Sequence, residues 1–200
     1  MKLSDNQAPA KVAQLARNMA AGYAAHIAAI RLAPRVSDKA LVRLIADYPI
    51  DSVQRKDGTK WSFDMQDALI SAVADEAIAE EFPRVWLTGS LLAVGDALKR
   101  NDYFDHAPEL ELVRHLRNGI AHGNRFAIQK LTYPAHNRDA AFHTNTIFEI
   151  KPKLNGQSVL FDFVGAGDVL DLFSSVAAHL DRIGRGESAR LPQRTPRRKS

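Results

Sequence analysis

The sequence predicts a mainly α-helical domain with one β-hairpin late in the chain and a helix after it. Three observations carry this reading. Apolar residues recur at helical spacing through most of the first 125 positions. Asn155-Gly156 stands between two β-prone runs, and both residue types tolerate positive φ. Asp168 then precedes Val169, Leu172, Phe173, Val176 and Leu180, again at the spacing of a helix with one buried face.

The elements follow in order. From Pro9 to Leu32 the chain is rich in alanine, with Val12, Leu15, Met19, Tyr23, Ile27 and Ile30 on one stripe, and Pro34 ends the helix. Ser37-Asp38 reads as an N-cap for a second helix through Leu41, Leu44 and Ile45, stopped at Tyr48-Pro49. Residues 50–62, with the turn signal Lys56-Asp57-Gly58, read as a loop. Ser62 is expected to cap a third helix running to about Glu81, with Phe63, Ala68, Leu69, Val73 and Ile78 inward. Pro83 should separate it from a fourth helix, Arg84 to Arg100, carrying Val85, Trp86, Leu91, Leu92 and Leu98. A fifth opens at Pro108, where a missing N–H costs nothing, and ends before Gly123, suited to a left-handed cap. Its inner residues are Leu110, Val113, Leu116 and Ile120. Strands around 144–150 and 158–164 would form the hairpin.

Two hundred residues, 46% of them hydrophobic, suffice for one domain with a full core, placed at 1–182. No cysteine is present, so disulfides and thiolate metal sites are excluded. No apolar run approaches the ~20 residues of a membrane span, and Met1-Lys2-Leu3-Ser4-Asp5 lacks the pattern of a secretory signal. A cytoplasmic location is the expectation. The pI near 9.4 has a local source. Residues 183–200 hold six basic side chains against Glu187, a charge of +5, which leaves 1–182 at −1 of the total +4. This tail reads as disordered, and its charge suits non-specific RNA contact and a solubilising end with no further role equally.

The chemistry concentrates in Leu112-Val113-Arg114-His115-Leu116-Arg117-Asn118-Gly119-Ile120-Ala121-His122-Gly123. An arginine, a polar residue directly after it, and a histidine five positions beyond the arginine sit in the last turns of an amphipathic helix. Histidine moves protons near neutral pH, and a guanidinium neutralises a phosphate. Asn118 and His122 lie about 40° apart in projection, with Arg117 about 140° from His122. Arg114 falls between these two, and His115 lies close to His122. A helix C-terminus favours positive charge.

Arg117-Asn118-x3-His122 resembles the Arg-(Asn/Asp/His)-x3-His signature of the HEPN superfamily, helical-bundle proteins rich in ribonucleases and toxins, and suggests a branch carried on plasmids and mobile elements. The resemblance covers roughly residues 60–125, and its specific part is the motif helix. It implies an HEPN-like bundle and a metal-independent endoribonuclease, a toxin or defence effector, with no cofactor. The RNA's 2′-OH would attack, leaving 2′,3′-cyclic phosphate and 5′-hydroxyl ends. Arg117, Asn118 and His122 would be the catalytic set: His122 for proton transfer, Arg117 for phosphate charge, Asn118 for orientation. Arg114 and His115 would contact RNA phosphates. One histidine per chain implies a homodimer with a composite site, and an antitoxin partner is implied as well. HEPN toxins paired with nucleotidyltransferase antitoxins often carry a modifiable tyrosine two residues after the histidine; here that residue is Asn124. The competing reading is an inactive HEPN-like module binding nucleotide, RNA or a protein. In it, Arg117 anchors the ligand and His122 caps the helix; a blander reading of the motif is a plain helix end, capped by His122-Gly123, with Arg117 paired to a carboxylate on a neighbouring helix.

Other candidates read as structural. Val164-Gly165-Ala166-Gly167-Asp168 lacks the third glycine of a dinucleotide loop and places an acid where a pyrophosphate would sit; it reads as a turn and cap. His136 and His143 lack the spacing of a helical zinc pair, and His26 reads as packed or surface. Trp61, Trp86, Tyr103 and Phe104 read mostly as core rather than base-stacking platforms.

Overall fold

The computed structural model describes residues 8–32, 43, 45–47, 49–74, 76–102, 105–137 and 146–187. Its elements are α1 (Ala8–Leu32), β1 (Ile50–Gln54), β2 (Lys60–Asp64), α2 (Met65–Ala74), α3 (Glu76–Arg100), α4 (Pro108–Ala121) and α5 (Ala166–Gly184), with a 3₁₀ turn at Pro152–Leu154. The fold is mainly helical, as the periodicities require. Where the sequence suggests one domain, the chain separates into two compact units: Met1–Ala21 with Val85–Ser200, and Gly22–Arg84. The division falls inside α1 and α3.

The first unit holds the core. On α4, Leu110, Val113, Leu116 and Ile120 are all buried, and on α5 so are Val169, Leu172, Phe173, Val176 and Leu180. These two helices pack on each other. Leu87, Leu91, Val94 and Leu98 of α3 and Val12, Ala13 and Ala16 of α1 complete the apolar interior. Trp86 is half-buried and donates its indole N–H to the Met19 carbonyl (3.0 Å), so it belongs to the packing as expected. Val85, expected inward, is 67% exposed.

In the second unit, Ile45 is the one buried side chain among the described residues. Residues 50–64, read from sequence as a loop entering a helix, instead form the antiparallel pair β1–β2, in register from Ile50↔Asp64 to Gln54↔Lys60. The reason is local. Asp57 Oδ1 accepts the Thr59 N–H (3.0 Å) and hydroxyl (2.7 Å), Gly58 takes φ +87°, and Arg55 and Thr59 join across the turn at 2.6 Å. The Thr59 bonds hold the Asp57 carboxyl below the usual carboxylate range. Val53, Trp61 and Phe63 suit a pleated surface. Trp61 is 55% exposed and tilts against Phe63, so it is not a core residue. The next helix therefore starts at Met65 rather than Ser62, with Asp64 accepting the Asp67 N–H (2.9 Å). Pro83 does not divide two helices; it lies inside α3. His26 is packed, stacked on Phe82, and burial lowers its pKa. The predicted second helix is seen at Arg43 and 45–47; its Ser37-Asp38 cap lies outside the described residues, as do Tyr103, Phe104 and His143.

Among the described residues, the late hairpin is not formed. Leu154-Asn155-Gly156-Gln157 does turn, with Gln157 N–H donating to Leu154 C=O (2.9 Å), Asn155 at φ −55°, ψ 128° and Gly156 at φ +81°. That is a type II turn, whose twist splays flanking strands instead of pairing them. Each flank finds another partner. Residues around 158 bridge to Arg125, with Phe126 N–H donating to Gln157 C=O (2.8 Å). Glu149 bridges to His136, with Ile150 N–H donating to Ala135 C=O (2.9 Å).

α5 begins at Ala166 with Gly165 as N-cap, so Asp168 acts from the third helical position. Its carboxylate accepts the Gly165 N–H (2.8 Å), and the segment is a turn and helix start. The helix runs through Ile183 and Gly184, past the boundary expected at 182. The rest of the basic tail, from 188, lies outside the described residues.

Candidate functional site

The amino end of α4 is fixed from α5. Asp105 is buried, with Oδ1 accepting the Ala107 N–H (3.0 Å) and Oδ2 2.8 Å from His179 Nε2. Arg182 can only donate, and its Nη2 lies 3.2 Å from His179 Nδ1. Nδ1 therefore accepts, and the Nε2 hydrogen points at Asp105. Between this anchor and Pro108, His106 is held at φ +55°.

The carboxyl end of α4 closes as the sequence predicts. His122 is the C-cap, its N–H directed at the carbonyls of Asn118 and Gly119 (3.1 Å each), and Gly123 follows at φ +76°. Asn124 continues in the left-handed region at φ +62°. Its side-chain oxygen accepts the Leu160 N–H (2.8 Å), and its amide donates to Ser158 Oγ (3.2 Å) and Leu160 C=O (3.3 Å). Asn124 is thus a clasp on the chain reversal, a role a tyrosine ring could not fill.

Between these ends α4 forms one wall of a cavity of about 600 Å³. Glu111, Arg114, His115, Asn118 and His122 line it from the helix, Asp102 and His106 from the preceding connector. Ala127, Gln129, Lys130, Thr132 and Tyr133 line it from the segment after the motif. Glu111 is buried and accepts on both oxygens: His106 Nδ1 lies 2.8 Å from Oε1 and Arg114 Nε 2.5 Å from Oε2. Arg114 also donates from Nη2 to His115 Nε2 (2.9 Å). His106 stacks on Tyr133, centroids 4.4 Å apart and planes 7° from parallel.

Four of the five residues singled out from sequence meet here: Arg114, His115, Asn118 and His122. Their states differ. His122 is exposed, whereas His115 is buried. Burial, then the Arg114 guanidinium, lowers the His115 pKa to about 4. His115 is therefore a neutral acceptor near pH 7. Arg117 is not among the cavity's lining residues. Its Nε donates to Asp96 Oδ1 of α3 (2.8 Å), Nη2 lies 2.5 Å from the same oxygen, and Nη1 donates to Asn118 Oδ1 (3.3 Å). Its stem crosses Gly95, where an added Cβ would stand 2.6 Å from Arg117 Cγ.

His106, Glu111, Lys130, Tyr133 and Asp96 escaped the sequence reading. Glu111 was within reach, since it precedes Arg114 and His115 by three and four positions and so shares their helix face. His106 and Tyr133 arrive on connectors without periodicity. Among the described residues, no group of three or more His, Cys, Asp or Glu side chains could hold a metal ion. Nor, among them, is any helix long and apolar enough to cross a membrane.

Comparison with known proteins adds no relative. No family model matches the chain, and no curated protein or solved structure matches it.

Proposed function

We propose that this chain is a metal-independent endoribonuclease of the HEPN type, working on RNA in the cytoplasm. The observation that carries the reading is the cavity. It gathers Asn118 and His122 of the motif with the cations Arg114 and Lys130, beside the acids Asp102 and Glu111, around one open space. RNA supplies its own nucleophile, the 2′-OH, and the chain must move protons and hold the phosphate. His122 is exposed at the helix end and suits the first task. Lys130 and Arg114 suit the second. Arg117 acts at one remove, orienting Asn118 from its seat on Asp96. Such an enzyme would arrest growth when unopposed, in keeping with a toxin or defence role and with control by an antitoxin.

The test is cleavage of single-stranded RNA in excess EDTA. The wild-type chain should cut RNA to 2′,3′-cyclic phosphate ends and leave DNA intact. His122→Ala should lose about 10²–10⁴-fold in rate, the usual contribution of a general acid–base group.

One observation favours the second reading, a binding module without catalysis. Arg117 pairs with Asp96, as a merely structural arginine would. Binding of RNA or a nucleotide with no cleavage by the wild-type chain would establish that reading and end the first.

A further inference from the structure

The cavity beside α4 is a slot rather than a bowl. Its first wall is one face of the helix, where Glu111, Arg114, His115, Asn118 and His122 lie within about 100° of one another in projection. Its second wall is the chain returning along that face, which carries Lys130 and Tyr133. Backbone bonds pin this return near both ends of the helix. Arg125 N–H donates to Gly119 C=O (3.0 Å), and His136 N–H donates to Pro108 C=O (3.3 Å). At 1.5 Å per residue, the 14 residues of α4 set about 21 Å between the two ends. His122 stands at one end, and His106 and Tyr133 stand at the other.

The two ends differ in chemistry. Asn118 and His122 line the carboxyl end, and midway Arg114 and Lys130 place a cation on each wall. At the amino end the exposed carboxylate of Asp102 disfavours a phosphate, while the charge of Glu111 is taken up by Arg114. A ring pair lines that end instead: His106 lies flat on the half-buried Tyr133, centroids 4.4 Å apart. The pair is assembled in advance, with His106 Nδ1 2.8 Å from Glu111 Oε1 and the backbone held at φ +55°. Aromatic rings stack on any base, and a pair already ordered loses little further freedom in taking a third ring.

We propose that the slot seats a single RNA strand along α4, with the scissile phosphate beside His122 and a distant base stacked on the Tyr133–His106 pair. The proposal rests on the ribonuclease reading above. Arg114 and Lys130 face the phosphates between these two points. The separation corresponds to roughly three to six nucleotides, at about 3.4 Å per stacked nucleotide and about twice that when extended. The ring pair is thus a subsite remote from the chemistry. Contacts made there raise the rate at the phosphate by holding the strand in place, so a substrate too short to reach them reacts more slowly.

The test uses a 2′-O-methyl RNA strand longer than the slot, with one ribonucleotide, tried with each base, that fixes the cut. An abasic residue is placed at every other position in turn. For the wild-type chain, one abasic position roughly three to six nucleotides from the cut should lower kcat/KM about 5–150-fold, the worth of one base–aromatic stack. Tyr133→Ala should lose a similar factor on the intact strand and become indifferent to that abasic position. On a dinucleotide, which cannot reach the ring pair, Tyr133→Ala and wild type should cut alike. Tyr133→Phe, which keeps the ring, should keep the wild-type profile. Equal losses by Tyr133→Ala on strand and dinucleotide would overturn the proposal, since a merely structural ring gives that result. A flat abasic profile would also overturn it, with the ribonuclease reading intact. A wild-type chain that leaves RNA uncut ends that reading, and the slot is then decided by binding of the fully 2′-O-methylated strand, followed by fluorescence anisotropy. Weakening of that binding by Tyr133→Ala, with Tyr133→Phe unaffected, sustains the seated strand; binding unchanged by Tyr133→Ala overturns it.

Discussion

Arg117 and Asp96 meet through a single carboxylate oxygen, which receives both Nε (2.8 Å) and Nη2 (2.5 Å) of the guanidinium. The Asp96 side chain is 46% exposed, so solvent screens the pair and its own worth is at most about 1 kcal/mol. Its consequence is directional, because the same guanidinium donates to Asn118 Oδ1. Asp96→Ala should therefore shift stability by less than about 1 kcal/mol in urea denaturation. The same substitution should slow RNA cleavage about tenfold, the loss of one orienting hydrogen bond. Faster cleavage by Asp96→Ala would show instead that Asp96 withholds Arg117 from the phosphate.

Two helical glycines should respond to alanine with opposite signs. At Gly119 an added Cβ would stand 2.5 Å from Val159 Cγ2 and 3.1 Å from the Arg125 carbonyl oxygen. Helix propensity favours alanine by roughly 0.5–1 kcal/mol, but overpacking costs about 1–3 kcal/mol, so the clash wins. At Gly89 of α3 the same Cβ meets nothing within 4 Å, and only the propensity gain remains. Gly119→Ala should lower the urea midpoint and Gly89→Ala raise it. Equal signs would refute the packing described around α4.

The buried His115 makes stability depend on acid. Burial and the neighbouring Arg114 lower its pKa from 6.5 to about 4, so the folded chain refuses a proton that the unfolded chain accepts. The resulting stabilisation is complete above pH 6.5 and fades as pH falls toward 4. At most it amounts to about 3 kcal/mol. His115→Gln, whose side-chain oxygen can accept the Arg114 bond, should flatten this limb of a stability–pH curve measured by denaturant titration. An unchanged limb would place the acid sensitivity elsewhere.

Much of this arrangement was legible in the chain. Pro108 and Gly123 bound α4 by local stereochemistry, and the apolar spacings of α4 and α5 name their buried faces correctly. The hairpins show where local signals stop. Asn155-Gly156 does turn, but a turn does not dictate its strands' partners. Phe126 and Ala135 compete for those flanks from far along the chain. Lys56-Asp57-Gly58 gave an equally good signal, and there the flanks, having no other partner among the described residues, pair with each other. The cavity was half legible. Asn118 and His122 share a helix face by arithmetic, whereas Tyr133 reaches His106 through tertiary structure. The motif assigns Arg117 to the phosphate, and its seat on Asp96, 21 positions upstream, has no local signature.

The clasp at Asn124 sets a timetable. Its partners, Ser158 and Leu160, come 34 and 36 residues later, so the clasp cannot close until that segment has left the ribosome. On the proposed chemistry, a nascent chain threaded beside its own message carries an unfinished blade until residues 158–160 have emerged.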